Sequence, residues 1–508
     1  MPTRLAVALL LAALFLQGIL GSRQLSAAFD EATHLASGYS YLKTGDYRLN
    51  PQHPPLGKLL CALPLLALGP QLDLADPGWR ESEEWGFGHR FLYGNDADRL
   101  LFWGRLPVIL LSLLLAAYVW RWAGELFGAA AGLGALVLCV LCPTVVAHSR
   151  FVTFDVPLAA FSTMALYHGW RCTRRESWAQ RLLAGTGLGL AMATKFSGLV
   201  LLATVPVLVL LSGFEHKHVR RAALDLLVVL LVAAAIVTVV YAPSGGLRAY
   251  VDGARLVNRD HDPSFVYYLN GEFRPGGFWN YFLIAFLVKT PLPTLLALAG
   301  SIVLWRRLRA PQRRDEAFLV LPALAWIVAT SAGADDLGVR YLLPAYPLVF
   351  VFASRLAPWL LARRAGRLAA ALLALWLGGT ALWIFPDQLA YFNEAAGGPA
   401  RGHRWLDDSN LDWGQDVKRL ASWLREQKIE RVKLRLPPNA NPEYYGIHGE
   451  PLPDAEWSGP PAPGVYALSA HVLIRGEQYA RERGLATDWL HRYRPAARIG
   501  YSIYVFRF

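Results

Sequence analysis

Eleven apolar runs, each close to the length of a bilayer crossing, dominate this chain at about residues 5–21, 100–120, 128–147, 156–170, 182–194, 197–212, 222–242, 290–305, 317–332, 341–357 and 368–384. A hydrocarbon core about 30 Å thick is crossed by about 20 helical residues. Unbroken backbone hydrogen bonding makes the helix the natural form of such runs in lipid. The composition agrees: of 508 residues 54% are hydrophobic and 17% charged, with 18 tryptophans. The sequence therefore predicts an α-helical polytopic membrane protein with about 11 transmembrane helices. A twelfth apolar piece, residues 56–68, is short and bounded by proline, and reads as an interfacial helix.

Charge gives the runs a direction, because short loops rich in Lys and Arg stay in the cytoplasm. With a cytoplasmic N-terminus, alternate loops contain Arg121; Arg171, Arg174, Arg175 and Arg181; Lys217, Arg220 and Arg221; Arg306, Arg307, Arg309, Arg313 and Arg314; and Arg355, Arg363, Arg364 and Arg367. All fall on one side. The net charge of +12 is then mostly topological, and no separate basic domain with interleaved aromatics points to nucleic acid. The other face receives outer loops at residues 22–99 and 243–289 and the tail from 386. The opening run reads as a retained anchor; a signal peptide would leave the same loop outside. Cys61, Cys139, Cys142 and Cys172 read as free thiols, since the one CxxC lies on an apolar helix with no second pair.

After Pro386 charge, Pro and Gly rise and apolar runs shorten. Residues 1–385 are expected to form a transmembrane domain, and 386–508 a small extracytoplasmic α/β domain. Within the tail, residues 420–427 suggest an amphipathic helix, and 432–436, 465–470 and 502–508 suggest strands.

The unusual residues cluster on the outer side. Phe29-Asp30-Glu31 puts two carboxylates just past the first run, where one can take a proton from an acceptor hydroxyl; equally, Asp30 can be the N-cap of a helix that Glu31 opens. His53-Pro54-Pro55-Leu56-Gly57-Lys58 is a rigid helix entry. Ser149-Arg150 with Asp155 five residues on suits either a site or a loop-fixing ion pair. Lys195 in Lys195-Phe196-Ser197-Gly198 suits either a site or a lysine snorkelling to the interface.

Taken in order, FDE, HPPLGK, SR-x4-D and KFSG closely resemble the protein O-mannosyltransferases and their bacterial relatives, within the GT-C type, polyprenyl-phosphate-dependent membrane glycosyltransferases. The likeness is strongest over residues 25–200. It is looser around Lys289-Thr290-Pro291 and Arg340-Tyr341-Leu342-Leu343-Pro344 and does not cover the tail. The carbohydrate-binding repeats of the eukaryotic enzymes are absent. The tail segment Asp408-Ser409-Asn410-Leu411-Asp412-Trp413-Gly414-Gln415-Asp416 resembles one that follows such bundles in some bacterial proteins, with no chemistry to carry over.

The resemblance implies an inverting glycosyltransferase that moves one hexosyl or pentosyl group from a polyprenyl-phosphate donor to an acceptor hydroxyl on a protein, lipid or glycan. It implies Asp30 as base, with Glu31 beside it. Arg150, Lys195, Arg340 and Lys289 would hold the donor phosphate. His53 and Asp155 would orient the acceptor or the site. No cofactor is required; a divalent metal held by His53 and a carboxylate is a further possibility. Arg340 is favoured over Lys289 by its nearness to Asp335 and Asp336. The expected location is a bacterial inner membrane with the site extracytoplasmic. The loop 245–277, rich in polar and aromatic groups, reads as a lid or as an interfacial belt, and His216 with His218 as part of a solvated loop. Two other classes remain open. A transporter or flippase would hold its charges near mid-membrane rather than at helix ends, and a non-catalytic scaffold would not need Asp30.

Overall fold

The computed structural model describes residues 2–215, 219–260, 262, 264–308, 313–484 and 489–508. His216, Lys217, His218, His261 and Arg309 lie outside the described residues. The chain is mostly helical, with a small sheet near its C-terminal end.

Every apolar run lies in helix, but not always in one helix. Five helices, Thr3–Ser22, Ala97–Phe127, Val219–Val240, Arg314–Gly333 and Arg364–Trp383, are long and apolar enough to cross a membrane unaided, and a bent pair would make a sixth. That pair, Tyr281–Lys289 and Leu292–Val303, turns by 113°. The figure of about eleven thus exceeds what length and composition support singly, and for two of the runs proline gives the reason. Pro143 starts a new helix, Pro143–His148, inside the run 128–147, and Pro291 caps Leu292–Val303 inside the run 290–305. A proline lies comfortably in the first turn of a helix, so hydropathy continues across a break in the backbone. The piece read as interfacial forms two short helices, Pro55–Ala62 and Leu65–Leu68.

Large aliphatic side chains such as Leu231, Val239, Leu375 and Leu382 are exposed, as a lipid-facing surface requires. Exposed Trp178, Trp279 and Trp383 sit at or beside helix ends, where an indole spans the boundary between lipid and water.

The same helices separate two kinds of chemistry. Asp155 opens the helix Asp155–Arg174 and Arg174 closes it; 20 residues at 1.5 Å each put them about 30 Å apart. At the Arg174 end, Arg174 pairs with Asp315, Arg181 Nε with Asp225 at 2.6 Å and Arg355 Nη1 with Glu316 at 2.9 Å. These arginines are stitched to carboxylates of neighbouring helices, so the basic loops are partly neutralised rather than simply an excess of charge. The opposite end holds Asp30, Asp155 and Lys195.

The long loop before Tyr281 is not irregular. It forms the helix Leu247–Asp260 and a hairpin, Val266–Leu269 with Glu272–Pro275, turned by Asn270 and Gly271 at φ 51° and 86°. An Asn-Gly pair is the residue choice for a two-residue turn with both φ positive. In the tail, a five-stranded sheet has the order Gly449–Pro451, Val432–Arg435, Val465–Ser469, Ile503–Arg507, Ala497–Ile499. Its central pair is antiparallel, and Val432–Arg435 is parallel to both its neighbours. The helix Val417–Glu426 covers one side through Leu420, Ala421 and Leu424. The three long strands and this helix lie within a few residues of their expected places; the two short edge strands carry too little pattern to be read.

Candidate functional site

Asp30 occupies the N-cap position of the helix Glu31–Thr44, yet its side chain makes no capping hydrogen bond. It turns instead to Arg340, whose Nη1 donates to Asp30 Oδ2 at 3.2 Å. Arg340 comes from a single 3-10 turn, Val339–Leu342. Its Nη1 also lies 3.9 Å from Asp155 Oδ2, while Lys195 Nζ donates to Asp155 Oδ1 at 2.6 Å. The side chains of Asp30, Arg340 and Lys195 remain 12–14% exposed, whereas Asp155 is nearly sealed at 2%. Two carboxylates and two cations from four distant segments thus meet at one end of the bundle. The ring of Tyr341 lies 4.3 Å from Lys195 Nζ, and that of Trp413 lies 4.6 Å from the Arg340 guanidinium carbon. Arg340 Nε is buried with no hydrogen-bond partner among the described residues, so the guanidinium still has donor capacity to offer.

Glu31, expected beside the base, has a different part from Asp30. It is fully buried, and Arg105 grips it with Nε at 2.8 Å and Nη2 at 2.6 Å. Backbone N–H groups of Val152 and Ala28 donate to its two oxygens, each at 2.8 Å. With both oxygens occupied and no water access, Glu31 cannot take a substrate proton. It fastens the 149–154 loop to the start of the Asp30 helix. Arg105, buried in the long helix Ala97–Phe127, belongs to no motif that the sequence singled out, and an arginine inside an otherwise apolar run was the available signal.

Two of the four expected phosphate ligands are likewise placed elsewhere. Lys289 Nζ is buried and donates to the carbonyls of Leu389 at 2.7 Å and Asn410 at 2.6 Å. With Asn393, which donates to Leu287 O and Thr290 O, it ties the bend at Thr290-Pro291 to the tail. Arg150 is buried against Gly21, where any Cβ would fall 2.0 Å from Nη1, and its Nη2 donates to Pro386 O at 2.5 Å. It does not pair with Asp155, so the loop-fixing ion pair does not form, and no contact joins it to Asp30, Lys195 or Arg340; its Nε and Nη1 are buried with no partner among the described residues. Asp335 and Asp336, expected to flank Arg340, take other partners: Tyr267 for Asp335 and the Phe278 N–H at 2.6 Å for Asp336.

His53 edges against His34, with ring centroids 5.5 Å apart, and both pack on Phe154. Burial drives the His34 imidazole down to about 4, against the pull of Asp30, and pushes His53 well below its usual range. Both rings are therefore neutral near pH 7. Since His34 Nδ1 lies 2.8 Å from the Val152 carbonyl, which can only accept, Nδ1 carries the proton and Nε2 the lone pair. Lys58 of the HPPLGK segment is buried and donates to Tyr41 Oη, Asn50 O and His53 O at 2.6–2.9 Å, fixing the turn that presents His53. His53 also lines a cleft of about 550 Å³ with Tyr41, Tyr47, Tyr241, Arg248 and Arg255, roofed by the helix Leu247–Asp260. Among the described residues no three His, Cys, Asp or Glu side chains gather so as to hold a metal ion.

The long apolar helices mark an integral membrane protein, and its fold is of the GT-C type, as the likeness to solved structures shows. Residues 98–241 match the family described as dolichyl-phosphate-mannose-protein mannosyltransferase. The structure is similar to that of ArnT from Cupriavidus metallidurans bound to undecaprenyl phosphate, over 99% of this chain and 97% of that one, with 16% identity and a TM-score of 0.52. The apo form of the same protein aligns at 15% identity, with the same TM-score, over 99% of this chain and 96% of that one. The S. cerevisiae Pmt1-Pmt2 complex bound to the sugar donor matches less well, at 20% identity and TM-score 0.35 over 53% of this chain and 38% of that one. No curated protein matches the chain in sequence. The resemblance to GT-C polyprenyl-phosphate-dependent glycosyltransferases, read first from four short motifs, is thus borne out by the family match and by the fold.

Proposed function

We propose that the protein is an inverting glycosyltransferase which moves a single sugar from a polyprenyl-phosphate donor to an acceptor hydroxyl on the extracytoplasmic face of the membrane. One observation carries the reading: the Asp30 carboxylate, free of any capping duty, stands beside Arg340 in a partly exposed charged cluster that also holds Lys195. The acceptor hydroxyl gives its proton to Asp30 as its oxygen attacks the anomeric carbon. The bond from that carbon to the phosphate oxygen breaks, and its electron pair leaves with the phosphate. Because that leaving group is a stable anion, no second carboxylate is needed as an acid, in contrast to glycoside hydrolysis. Arg340 and Lys195 stabilise the charge gathering on the phosphate, and Asp155, lying between them, keeps both cations in place. His53 with its cleft is assigned to orienting a substrate.

The arginine-rich helix ends lying opposite the site support a cytoplasmic N-terminus, with residues 386–508 as an extracytoplasmic α/β domain packed on the bundle. Protein, lipid or glycan all satisfy the chemistry of the acceptor, and a mannose-like hexose or a pentose that of the donor.

The test is sugar transfer in liposomes from a polyprenyl-phosphate donor, by the wild type and by Asp30→Asn. Loss of at least about 100-fold in turnover, with the fold intact, is expected. Equal turnover in both proteins would refute the assignment, and translocation of the donor without transfer would make the protein a transporter.

A further inference from the structure

The tail segment 408–416, to which the sequence attached no chemistry, touches both halves of the Asp30–Arg340 pair. Toward Asp30, the Phe29 N–H donates to Trp413 O at 2.9 Å and the Ser26 N–H to Gln415 O at 2.9 Å, while Ser26 Oγ donates to Gly414 O at 2.9 Å. The residue immediately before Asp30 is therefore strapped to Trp413. Toward Arg340, Ser409 Oγ donates to Leu337 O at 2.6 Å and the Val339 N–H donates to Asn410 Oδ1 at 2.9 Å, bracketing the start of the 3-10 turn that bears Arg340. The indole of Trp413 then lies over the Arg340 guanidinium itself, 4.6 Å from its central carbon. Asp408, a non-glycine residue, holds a positive φ of 54° at the start of this short stretch. Such backbone persists where surrounding contacts fix it, and it gathers at working sites.

We propose that residues 409–415 are a positioning clamp for the transfer site, with Trp413 as its central residue. This rests on the transferase reading above. The strap sets Asp30 against Arg340, and the indole face holds the guanidinium flat, so that its edge is presented to the carboxylate and to the donor phosphate rather than folding onto Asp155. A guanidinium is held over an indole face by electrostatic attraction as well as by contact, and phenylalanine keeps the weaker part of that attraction while leucine keeps none. The tail thereby contributes to the geometry of a site whose charged groups all come from the bundle.

The test compares Trp413→Phe and Trp413→Leu in the full-length protein, measuring thermal stability, KM for the polyprenyl-phosphate donor, and kcat. Expected is a fall in kcat of about tenfold or more for the leucine variant, with KM within about twofold of wild type. The phenylalanine variant should recover most of that kcat, even where the two variants lose similar stability. If activity simply follows stability across both, or if leucine keeps wild-type kcat, Trp413 is only a core residue and the clamp is wrong. Ser409→Ala supplies an independent arm should the leucine variant not fold: it removes the bond to Leu337 O at almost no change in volume, and the clamp requires a several-fold drop in kcat. Unchanged kcat there also overturns the proposal. Asp30→Asn in the same assay separates the two ideas, because an inactive Asp30→Asn beside a fully active Trp413→Leu leaves the transferase reading standing without the clamp.

Discussion

At the scale of the residue, the neighbouring acids Asp30 and Glu31 are divided by their surroundings. Asp30 keeps one oxygen without a partner among the described residues, while Glu31 spends both on Arg105 and two backbone N–H groups. Mutation should separate them in kind. Glu31→Ala leaves the Arg105 charge buried and unpaired, which costs about 3–5 kcal/mol, so thermal unfolding should show a large loss of stability. Asp30→Asn should leave the melting curve near that of the wild type, since an amide oxygen still accepts from Arg340, and should lose transfer. The motifs made the cluster of Asp30, Asp155, Lys195 and Arg340 legible. They could not reveal that Lys289 donates to two carbonyls and Arg150 to that of Pro386, because a sequence shows a cation and not what it donates to. Arg105 escaped for the complementary reason: one charge inside a long apolar run hardly alters its hydropathy.

At the scale of the element, the breaks in helices do more than the helices themselves. The bend between Tyr281–Lys289 and Leu292–Val303 is where the tail is fastened, through Lys289 and Asn393. Lys289→Met keeps the stem but strands two buried carbonyls, each costing about 1–3 kcal/mol. Hydrogen exchange at residues 389–410 should therefore quicken, while KM for the donor stays as in wild type; a raised KM with unchanged exchange would return Lys289 to the phosphate site. The loop after Arg314–Gly333 carries a pH-sensitive contact. Burial pushes the Asp336 carboxyl up to about 6, against the Phe278 N–H that donates to its charged form. A folded value above the unfolded one means the native state binds this proton more tightly. The contribution to stability is then greatest at low pH and is lost as pH rises through about 6. Asp336→Asn should consequently raise the melting temperature, relative to wild type, more at about pH 7.5 than at about pH 5. The positions of these breaks were only half legible: Pro143 and Pro291 were in plain sight, but whether a proline kinks a crossing or starts a new helix depends on neighbours that the sequence does not name.

At the scale of the whole molecule, one set of helices keeps two chemistries about a bilayer's thickness apart. Arginines at one end are partly neutralised by Asp225, Asp315 and Glu316, and at the other end Asp30, Asp155, Lys195 and Arg340 form one charged cluster. The alternation of basic loops and acidic motifs along the chain made that separation of the two ends readable, because it depends on order alone. The depth of each helix and the reach of the tail to the cluster depend on packing, and only the folded chain reveals them. On the transferase reading, the donor phosphate binds at this cluster. The most direct measurement is the position of the phosphorus in a cryo-EM structure of the protein with a polyprenyl phosphate bound. The phosphate oxygens are expected within hydrogen-bonding reach of the Arg340 guanidinium and the Lys195 ammonium, with the Asp30 carboxylate alongside. A phosphate seated away from both cations would contradict that reading.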